Sequence, residues 1–429
     1  MTSAFGERWV YWNIQRKQQL GNAVEICEAF VPFTNRRKSP KNKDLGAGER
    51  AVSLVHHPSI TTSNKRDDGT ALITEPVQAE DLSVRLGKAL SEIGVSGEVK
   101  EPMHGPRVSR YKVVLRDVNK LSVLRGRLES LGLSLNLGGN LPLVTAGDEA
   151  KSVFIDLARP RDSWKQSGRK EFEAAVATLP KTEKLIVCPG VDVMGNPFTL
   201  DISGAPHVLI GGATGQGKSV CMHTFILSLL MQHGPDKLQL SLVDPKQVEF
   251  SVYEKVPHLW GGRVAVGAAA ALDTVQLLVE EMDRRYSDLR SAGVSNIVDG
   301  RAAGLQMPYI VVCVDELADL LLQDDTVEES LVRLAQMGRG AGIHLIVATQ
   351  RPDAKTISGL IRSNIPCRVA LRVQKSSESK IILDDTGAED LLGAGDMLVK
   401  SSGVDGTRVH GYFLSLSDVK SILSSLRTS

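Results

Sequence analysis

The most constraining feature of this chain is a glycine-rich loop between an apolar run and a segment of helical pattern. Residues 209–220 read Leu-Ile-Gly-Gly-Ala-Thr-Gly-Gln-Gly-Lys-Ser-Val. The glycines allow backbone N–H groups to turn inward around a polyphosphate, and the positive end of a following helix favours the same anion. Because residues 208–210 predict a strand and residues 220–232 a helix, we expect a phosphate-binding strand–loop–helix unit. A plain glycine-rich turn is the alternative.

Within this loop the spacing Gly-x4-Gly-Lys-Ser gives different tasks to different residues. Lys218 is expected to reach the β- and γ-phosphates of a nucleotide, and the Ser219 hydroxyl is expected to ligate Mg2+. The residues that the motif predicts to bind nucleotide are Gly212, Ala213, Thr214, Gly215, Gln216, Gly217, Lys218, Ser219 and Val220.

The chain divides into three regions by pattern. From residue 183 to residue 429 strand and helix patterns alternate, which predicts an α/β domain with a central, mostly parallel sheet. Its strands are expected at 206–210, 238–243, 309–314, 344–348 and 367–373, with an antiparallel pair at 396–399 and 408–414. Residues 76–182 predict a small α+β domain, with helices at 81–93 and 118–131 and strands at 110–115 and 152–157.

Residues 1–75 differ from the rest of the chain. A helix is predicted at 9–30, and a basic cluster at 35–43 leads into a segment rich in Ser, Thr, Asn, Asp and Gly. This composition is typical of a flexible linker, and the region could also dock a protein partner.

Composition narrows the class of protein. The formal net charge is +1, so contacts with a polyanion must come from local basic segments. The five cysteines form no Cys-x-x-Cys pair, which favours buried thiols in a reducing cytoplasm. No run of about 18 apolar residues and no signal-peptide pattern is present, so we expect a cytoplasmic protein without membrane contact.

Two carboxylates follow the apolar run at 310–314. That run, Ile-Val-Val-Cys-Val, predicts a strand buried on both faces, and Asp315 and Glu316 come directly after it. We expect Asp315 to hold Mg2+ through water or Ser219, and Glu316 to orient and polarise the attacking water of a nucleotide hydrolysis. Solvated acids at the end of a strand are the alternative.

Polar residues also follow the strand expected at 344–348. Because ligands of open α/β sheets bind at the carboxyl ends of the strands, Thr349 and Gln350 are placed to sense the terminal phosphate. Arg339 lies just before this strand, among Gly338, Gly340 and Gly342. It is suited to reach the γ-phosphate of an adjacent subunit as an arginine finger, or it is an ordinary surface arginine.

The motifs of the second half, taken together, resemble those of the FtsK/SpoIIIE family of DNA-pumping ATPases. The resemblance covers residues 200–415, and residues 77–190 are more distantly similar to the small domain that precedes the motor in that family. The motifs that carry it are Gly-Ala-Thr-Gly-Gln-Gly-Lys-Ser-Val (212–220), Val-Asp-Pro-Lys (243–246), Val-Asp-Glu-Leu-Ala-Asp (314–319), Gly-Arg-Gly-Ala-Gly-Ile-His-Leu (338–345), Ala-Thr-Gln-Arg-Pro (348–352) and Gly-Asp-Met (395–397).

The resemblance implies a RecA-like motor that assembles as a hexameric ring around double-stranded DNA and uses ATP and Mg2+. Carried over by position, the catalytic residues are Glu316, Asp315, Arg339 and Gln350, and the metal ligands are Ser219 and Asp315. The family's DNA-contacting loops map to Arg351, Arg362, Lys375 and Lys380, of which Lys375 is one position away from the family's lysine. Such residues contact phosphates without reading sequence. Solvated surface charge is the alternative for each of them.

The expected function is therefore an ATP-driven translocase that pumps double-stranded DNA, with Mg-dependent, DNA-stimulated ATPase activity. Division-type members of the family carry a membrane region and a winged-helix module that reads DNA sequence. This chain shows no hydrophobic span and ends at Ser429, so neither property is expected. The alternatives are a nucleotide-gated DNA clamp or scaffold and a coupling ATPase that delivers protein to a secretion apparatus. A strand-separating helicase is disfavoured, because aromatic residues for stacking on single strands make up only 4% of the chain.

Overall fold

The computed structural model describes residues 82–322, 326–401 and 404–426, all within one compact unit that spans residues 74–429. The helix predicted at 9–30, the basic cluster at 35–43 and Cys27 lie outside the described residues. The described part of the chain contains a five-stranded sheet and a ten-stranded sheet.

The five-stranded sheet is antiparallel, with the order β1–β3–β5–β4 and with β2 also paired to β3. On β3, alternate residues face the core, where Tyr111 and Val113 pack with Leu86 of the first helix. The elements are β1 (Gly97–Val99), β2 (Met103–His104), β3 (Val108–Leu115), β4 (Leu143–Ala146), β5 (Ser152–Ala158), α1 (Leu82–Glu92), α2 (Leu121–Gly126) and α3 (Leu128–Ser134).

One predicted helix of this part is broken. The segment 118–131 is a 3-10 turn at Val118–Lys120 followed by α2 and α3, which separate at Arg127, where φ is −124° and ψ is 22°. Gly126 precedes the break, and glycine is a poor helix former because its backbone loses more freedom than that of other residues.

The ten-stranded sheet has the order β10–β9–β11–β12–β8–β13–β14–β15–β6–β7. The strands from β10 to β13 in this order run parallel, and the remaining strands are antiparallel. They are β6 (Ile186–Asp192), β7 (Pro197–Asp201), β8 (His207–Gly211), β9 (Leu238–Asp244), β10 (Ala265–Val266), β11 (Tyr309–Val314), β12 (Ile343–Thr349), β13 (Cys367–Leu371), β14 (Asp396–Ser401) and β15 (Val404–Gly411). This is the mostly parallel α/β sheet that the alternating pattern predicts.

Two parts of this sheet differ from expectation. The last strand lies at Val404–Gly411 rather than at 408–414, and beyond it Tyr412 packs its ring against Phe172 with 5.6 Å between centroids. The apolar run at Cys188 indicates a strand, which β6 confirms although Pro189 and Gly190 usually disfavour strand interiors, whereas no pattern predicts β7.

Helices cover both faces of the ten-stranded sheet. One core contains residues of α4, α5 and α12, and the other contains residues of α6, α8, α9, α10 and α11. Strand β11 contributes to both, with Val311 in the first and Val312 in the second, so it is buried on both faces as its apolar run predicts. The helices are α4 (Arg169–Ala177), α5 (Lys218–Leu230), α6 (Ala268–Ser291), α7 (Ile297–Ala302), α8 (Leu317–Leu321), α9 (Thr326–Ala341), α10 (Gly359–Asn364), α11 (Ser376–Leu383) and α12 (Leu416–Leu426). Helix α4 precedes residue 182, yet its Phe172 packs in the core of the larger sheet.

Candidate active site

The glycine-rich loop leaves β8 at the carboxyl edge of the parallel strands and enters α5 at Lys218. Gly215 and Gly217 have φ values of +76° and +104°, which side-chain-bearing residues rarely adopt. The loop is also held from outside, because the N–H of Gly395 donates to the carbonyl oxygen of Gln216 at 2.9 Å. A Cβ atom on Gly217 would lie 3.1 Å from the Cα of Gly395, so the two segments are in close contact. The residues of this loop and the first turn of α5 are Gly212, Ala213, Thr214, Gly215, Gln216, Gly217, Lys218, Ser219 and Val220.

Lys218 is buried and bound to the end of the neighbouring apolar strand. Its Nζ atom donates to the backbone oxygen of Asp315 and to the Oδ1 atom of the same residue, each at 2.6 Å. Lys218 and Asp315 are each only 4% exposed. The ammonium group that the motif assigns to phosphate is thus paired with the carboxylate that follows β11.

Ser219 is paired with an acid that motif reasoning did not identify. The Oγ atom of Ser219 donates to Oε1 of Glu249 at 2.6 Å. Glu249 follows β9, and the N–H groups of Glu249 and Phe250 each donate to Oδ2 of Asp244 at 2.9 Å. The sequence signal that could have identified Glu249 is its place as the last residue of the segment Val-Asp-Pro-Lys-Gln-Val-Glu, which begins at the end of a strand.

Glu316 is held by the strand next to its own. Thr349 Oγ1 donates to Oε1 of Glu316 at 2.6 Å, and the N–H of Gln350 lies 3.1 and 3.0 Å from the two carboxylate oxygens. The Oε1 atom of Gln350 in turn accepts a hydrogen bond from Thr214 Oγ1 at 2.8 Å. Gln350 therefore connects the glycine-rich loop with Glu316, which is 2% exposed.

A surface ion pair borders this cluster of acids. Lys246 Nζ lies 2.8 Å from Oδ2 of Asp319, and this contact, with smaller contributions from Glu316 and Asp315, raises the pKa of Lys246 above its usual value. Lys246 therefore stays charged at neutral pH. The sequence-predicted residues Lys218, Asp315, Glu316 and Gln350 and the additional Glu249 meet at one edge of the sheet.

The donor atoms at this edge fit Mg2+. They are the hydroxyl oxygen of Ser219 and the carboxylate oxygens of Asp315, with the Glu249 carboxylate beside Ser219, and oxygen ligands are those that Mg2+ prefers. Asp244 is fully buried, and its Oδ1 atom has no hydrogen-bond partner among the residues that the structure describes. Such a polar atom is costly unless something satisfies it, which is consistent with a site that binds a cation or its water.

Arg339 lies at the opposite edge of the sheet. It belongs to the last turn of α9, which precedes the amino end of β12, whereas the glycine-rich loop follows the carboxyl end of the parallel strand β8. The length of β12 separates the two edges by about 20 Å. Arg339 is exposed, so its guanidinium does not reach the glycine-rich loop of its own chain.

The basic residues expected to contact DNA fall into two groups. Arg351 and Lys375 follow β12 and β13, so they lie at the same edge as the glycine-rich loop, and both are exposed. Lys380 on α11 is exposed as well. Arg362 on α10 is partly buried, with its Nη1 atom 3.8 Å from a carboxylate oxygen of Asp384.

The described cysteines are buried thiols. Burial raises the pKa of Cys188 to about 11 and the pKa of Cys221 and of Cys367 to about 12. Cys313 is also buried, and burial raises its pKa as well. These groups stay protonated at neutral pH, so none of the four supplies a thiolate nucleophile.

Among the helices that the structure describes, none is both long and apolar enough to cross a membrane.

Comparison with known proteins identifies relatives of this site. The model of the FtsK/SpoIIIE family matches residues 177–306 and 297–354. The chain is 37% identical over 428 residues to DNA translocase SftA of Bacillus subtilis, covering 97% of this chain and 44% of that protein. It is 42% identical over 423 residues to a DNA translocase FtsK of Helicobacter pylori, covering 94% of this chain and 49% of that protein. The chain thus spans about half the length of the curated relatives it matches.

Solved structures resemble the chain as well. The conjugation coupling protein TcpA of pCW3, a monomer form with ATPγS, matches with a TM-score of 0.53 and 25% identity, over 81% of this chain and all of that one. The cytoplasmic domain of the type VII secretion ATPase EccC of Thermomonospora curvata matches with a TM-score of 0.51 and 28% identity, over 58% of this chain and 32% of that one.

Proposed function

Through residues 177–354 the chain belongs to the FtsK/SpoIIIE family, and on this premise we propose that it is an ATP-driven translocase of double-stranded DNA. The observation that carries the proposal is the meeting of Lys218, Ser219, Asp315, Glu316 and Gln350 at one edge of a parallel sheet. The names of its relatives, DNA translocases FtsK and SftA, supply the class of substrate.

ATP is the proposed nucleotide, and the likeness to TcpA with ATPγS supports it. The glycine-rich loop surrounds the phosphates with N–H groups, and Lys218 exchanges its bond with Asp315 for bonds to phosphate oxygens. Ser219 and Asp315 hold Mg2+, which when bound neutralises charge on the phosphates. Glu316 orients the attacking water, and Gln350 senses the terminal phosphate through its position between Thr214 and Glu316.

The proposed DNA contacts are made by the exposed residues Arg351, Lys375 and Lys380, together with Arg362. Cationic side chains hold the phosphate backbone without reading bases, as a pump that works on any sequence requires. Arg351 comes directly after Thr349 and Gln350, which donate hydrogen bonds to Glu316, and its N–H donates to Thr349 Oγ1 at 3.0 Å. This hydrogen bond gives DNA binding at Arg351 a short route to Glu316, so DNA is expected to stimulate hydrolysis.

Assembly into a ring is proposed as well, and the position of Arg339 supports it. Because Arg339 lies at the edge opposite the glycine-rich loop, it can serve as an arginine finger only for a nucleotide on another chain. A closed ring of identical subunits gives every loop one such arginine, and a hexamer is the proposed size on family resemblance.

Residues 183–429 form the motor, with α4 packed in its core, and the other residues of 76–182 form the small domain before it. Residues 1–75 are proposed to be a linker or to dock a protein partner. The site of action is the cytoplasm.

A second candidate is a coupling ATPase that delivers protein to a secretion apparatus. The likeness to the coupling protein TcpA and to the secretion ATPase EccC favours it. It requires turnover that saturates with a secreted polypeptide while DNA has no effect.

The experiment that tests the proposal measures ATP turnover with duplex DNA of increasing length. We expect turnover to rise with DNA length, because a translocating ring hydrolyses ATP at every step along the duplex. Glu316→Gln is expected to bind ATP but to lose turnover by at least about 100-fold, the range for a catalytic base.

Other outcomes distinguish the alternatives. A slow rate that does not depend on DNA length would indicate a clamp or scaffold, and the translocation proposal would be wrong. Full turnover by Glu316→Gln would contradict the role of Glu316, whatever the dependence on DNA.

A further inference from the structure

We propose that Glu249 is a residue that positions Ser219 for magnesium. The Glu249 carboxylate accepts the hydrogen bond of the Ser219 hydroxyl, so the oxygen lone pairs of Ser219 stay available for Mg2+. The inference rests on the proposed function only in that this site binds ATP with Mg2+. It concerns a residue that the glycine-rich loop motif and the acids after β11 do not include.

The contact between Ser219 and Glu249 carries the proposal. Ser219 Oγ donates to Glu249 Oε1 at 2.6 Å, a short bond to a carboxylate. A serine hydroxyl has one hydrogen to donate and two lone pairs to share, and it can rotate about its C–O bond. While the Ser219 hydroxyl donates its hydrogen bond to Glu249, its hydrogen cannot point toward an incoming cation. The contact therefore prepares Ser219 as a metal ligand before the metal binds.

The backbone around Glu249 is fixed by buried groups. Oδ2 of Asp244 accepts the N–H groups of Glu249 and Phe250, each at 2.9 Å. Phe250 is only 1% exposed and anchors the segment in the core of the sheet. Gln247 has a φ of +59°, a left-handed conformation that costs energy for a residue other than glycine. A turn with such a conformation persists because its neighbours hold it, so the position of Glu249 is built into the fold.

The second carboxylate oxygen of Glu249 faces a histidine. Nε2 of His223 lies 3.9 Å from Oε2 of Glu249, and Nδ1 of His223 lies 2.9 Å from the hydroxyl of Tyr253. An incoming cation meets the Glu249 carboxylate beside the Ser219 oxygen.

Two consequences of opposite sign follow from this arrangement. A carboxylate beside Ser219 attracts Mg2+, so it should strengthen binding of ATP together with Mg2+. The same negative charge repels the triphosphate, so it should weaken or leave unchanged the binding of ATP without metal. A residue that only supports the local structure would change both affinities in the same direction.

The test is equilibrium binding of a fluorescent ATP analogue to the full chain, with Mg2+ and with EDTA. We expect Glu249→Ala to weaken binding about 10-fold or more in Mg2+, the range for residues that orient metal ligands. In EDTA the same variant should bind as tightly as the natural chain or more tightly. Glu249→Gln keeps an acceptor for the hydroxyl but removes the charge, so its affinity in Mg2+ should lie between the two. Thermal melting checks that each variant is folded.

Two controls separate the role of Glu249 from general effects. Glu254 is exposed and follows in the same segment, so Glu254→Ala removes an equal charge and should change neither affinity. In a Ser219→Ala background, Glu249→Ala should add little further loss, since the hydroxyl through which it acts is gone.

Several results would overturn the inference. They are equal weakening by Glu249→Ala in Mg2+ and in EDTA, no change in either, or a Mg2+-dependent loss that is undiminished in the Ser219→Ala background. Absence of ATP binding by the natural chain would instead remove the proposed function, and this inference with it. The DNA experiment above does not enter this test, so a failure of translocation would leave this inference standing.

Discussion

Thr349 is the residue at which the two sides of the proposed mechanism meet. Its hydroxyl donates to Glu316 at 2.6 Å and accepts from the N–H of Arg351 at 3.0 Å. Thr349 is fully buried, so water does not replace either bond. One hydroxyl group thus joins the carboxylate proposed for hydrolysis to the first residue of a proposed DNA-contacting segment.

This arrangement predicts the effect of Thr349→Val. Valine has nearly the same shape but neither donates to Glu316 nor accepts from Arg351. We expect the ratio of ATP turnover with DNA to turnover without DNA to fall about 5-fold or more, as for loss of one hydrogen bond to a charged group. Steady-state ATPase assays with and without duplex DNA measure this ratio.

A matched control is available on α6. The hydroxyl of Thr274 donates only to the carbonyl oxygen of Ala270, at 2.7 Å, so Thr274→Val makes the same chemical change away from the site. A ratio for Thr349→Val no lower than that of Thr274→Val would show that the hydroxyl does not transmit DNA binding to Glu316.

At the scale of secondary-structure elements, a buried histidine pair joins the amino ends of β8 and β12. The N–H of Leu345 donates to Nδ1 of His207 at 3.1 Å, which requires that nitrogen to be unprotonated. His344 bonds through Nδ1 to the carbonyl oxygen of Pro206 at 2.9 Å. Burial, and then the neighbouring His344, lowers the pKa of His207 to about 3. Burial lowers the pKa of His344 to about 4, with Arg339 adding to the effect.

These pKa values predict a pH dependence of stability. Both folded pKa values lie below the unfolded value of about 6.5, so protons bind more strongly to the unfolded chain. The stabilisation is therefore complete above pH 6.5 and decreases as the pH falls toward 4. Each histidine contributes a slope of at most about 1.4 kcal/mol per pH unit in this range.

His344→Asn tests this dependence, because asparagine keeps a donor for Pro206 but does not titrate. Urea unfolding between pH 7 and pH 4.5 should show that the unfolding free energy of this variant decreases less steeply as the pH falls. The difference in slope from the natural chain should be close to the contribution of one histidine. If His344→Asn and the natural chain have the same slope, His344 is not the neutral buried group described here.

Elements with continuous apolar runs were predictable, and contacts between distant segments were not. Strands β8, β9, β11, β12 and β13 and the helix after the glycine-rich loop are confirmed because each is rich in apolar residues, and β11, which is buried on both faces, is an unbroken apolar run. Strand β7 lacks such a pattern. The bond from Ser219 to Glu249 joins residues 30 positions apart, and no spacing rule relates them.

The roles that the resemblance assigns to Arg339 and to the basic residues stay predictions. The structure gives their places: Arg339 is exposed at the edge opposite the glycine-rich loop, and Arg351 and Lys375 are exposed at the same edge as that loop. Arg362 illustrates why position alone does not establish a DNA contact, because its Nη1 atom lies 3.8 Å from a carboxylate oxygen of Asp384.

At the scale of the whole described chain, buried charges join the two sheets. Asp156 of β5 accepts from Arg110 at 2.7 and 2.9 Å and from Arg408 of β15 at 3.4 Å. Arg408 also donates to Asp396 of β14 at 2.6 Å. Burial would raise the pKa of Asp396, but Arg408 and His410 hold it well below its usual range. Asp396 is therefore ionised at neutral pH, and Asp156, Asp396 and Arg408 are all buried.

A second contact extends this connection to the glycine-rich loop. Arg107 of the small sheet region donates to the carbonyl oxygen of Ala394 at 2.9 Å, and the next residue, Gly395, donates to Gln216. The small sheet is thus attached to the segment that supports the nucleotide loop.

Asp156→Asn should weaken this attachment. The change leaves Arg110 and Arg408 without their shared negative charge, and breaking a buried ion pair costs about 3–5 kcal/mol. We expect a lower melting temperature, with the five-stranded sheet unfolding before the ten-stranded sheet as a separate transition in differential scanning calorimetry.

The matched change on the surface of the same sheet is Asp148→Asn, which removes an exposed partner of Lys112. Solvent screens exposed pairs, which therefore contribute little to stability, so this variant should melt as the natural chain does. A single, unshifted transition for Asp156→Asn would mean that the buried charges do not hold the two sheets together.

The distance of about 20 Å along β12 between Arg339 and the nucleotide loop has a consequence for inheritance. On the proposed assignment, each complete site combines the glycine-rich loop of one chain with Arg339 of a neighbouring chain, so every chain contributes to two different sites. A chain with a substituted Arg339 would therefore inactivate the site on a neighbour whose own sequence is intact. A chain with a defective glycine-rich loop would leave the intact Arg339 of its neighbour without a nucleotide to act on. In a cell with one normal and one altered gene copy, most rings would contain both products. Such alterations would then behave as dominant traits rather than as simple losses.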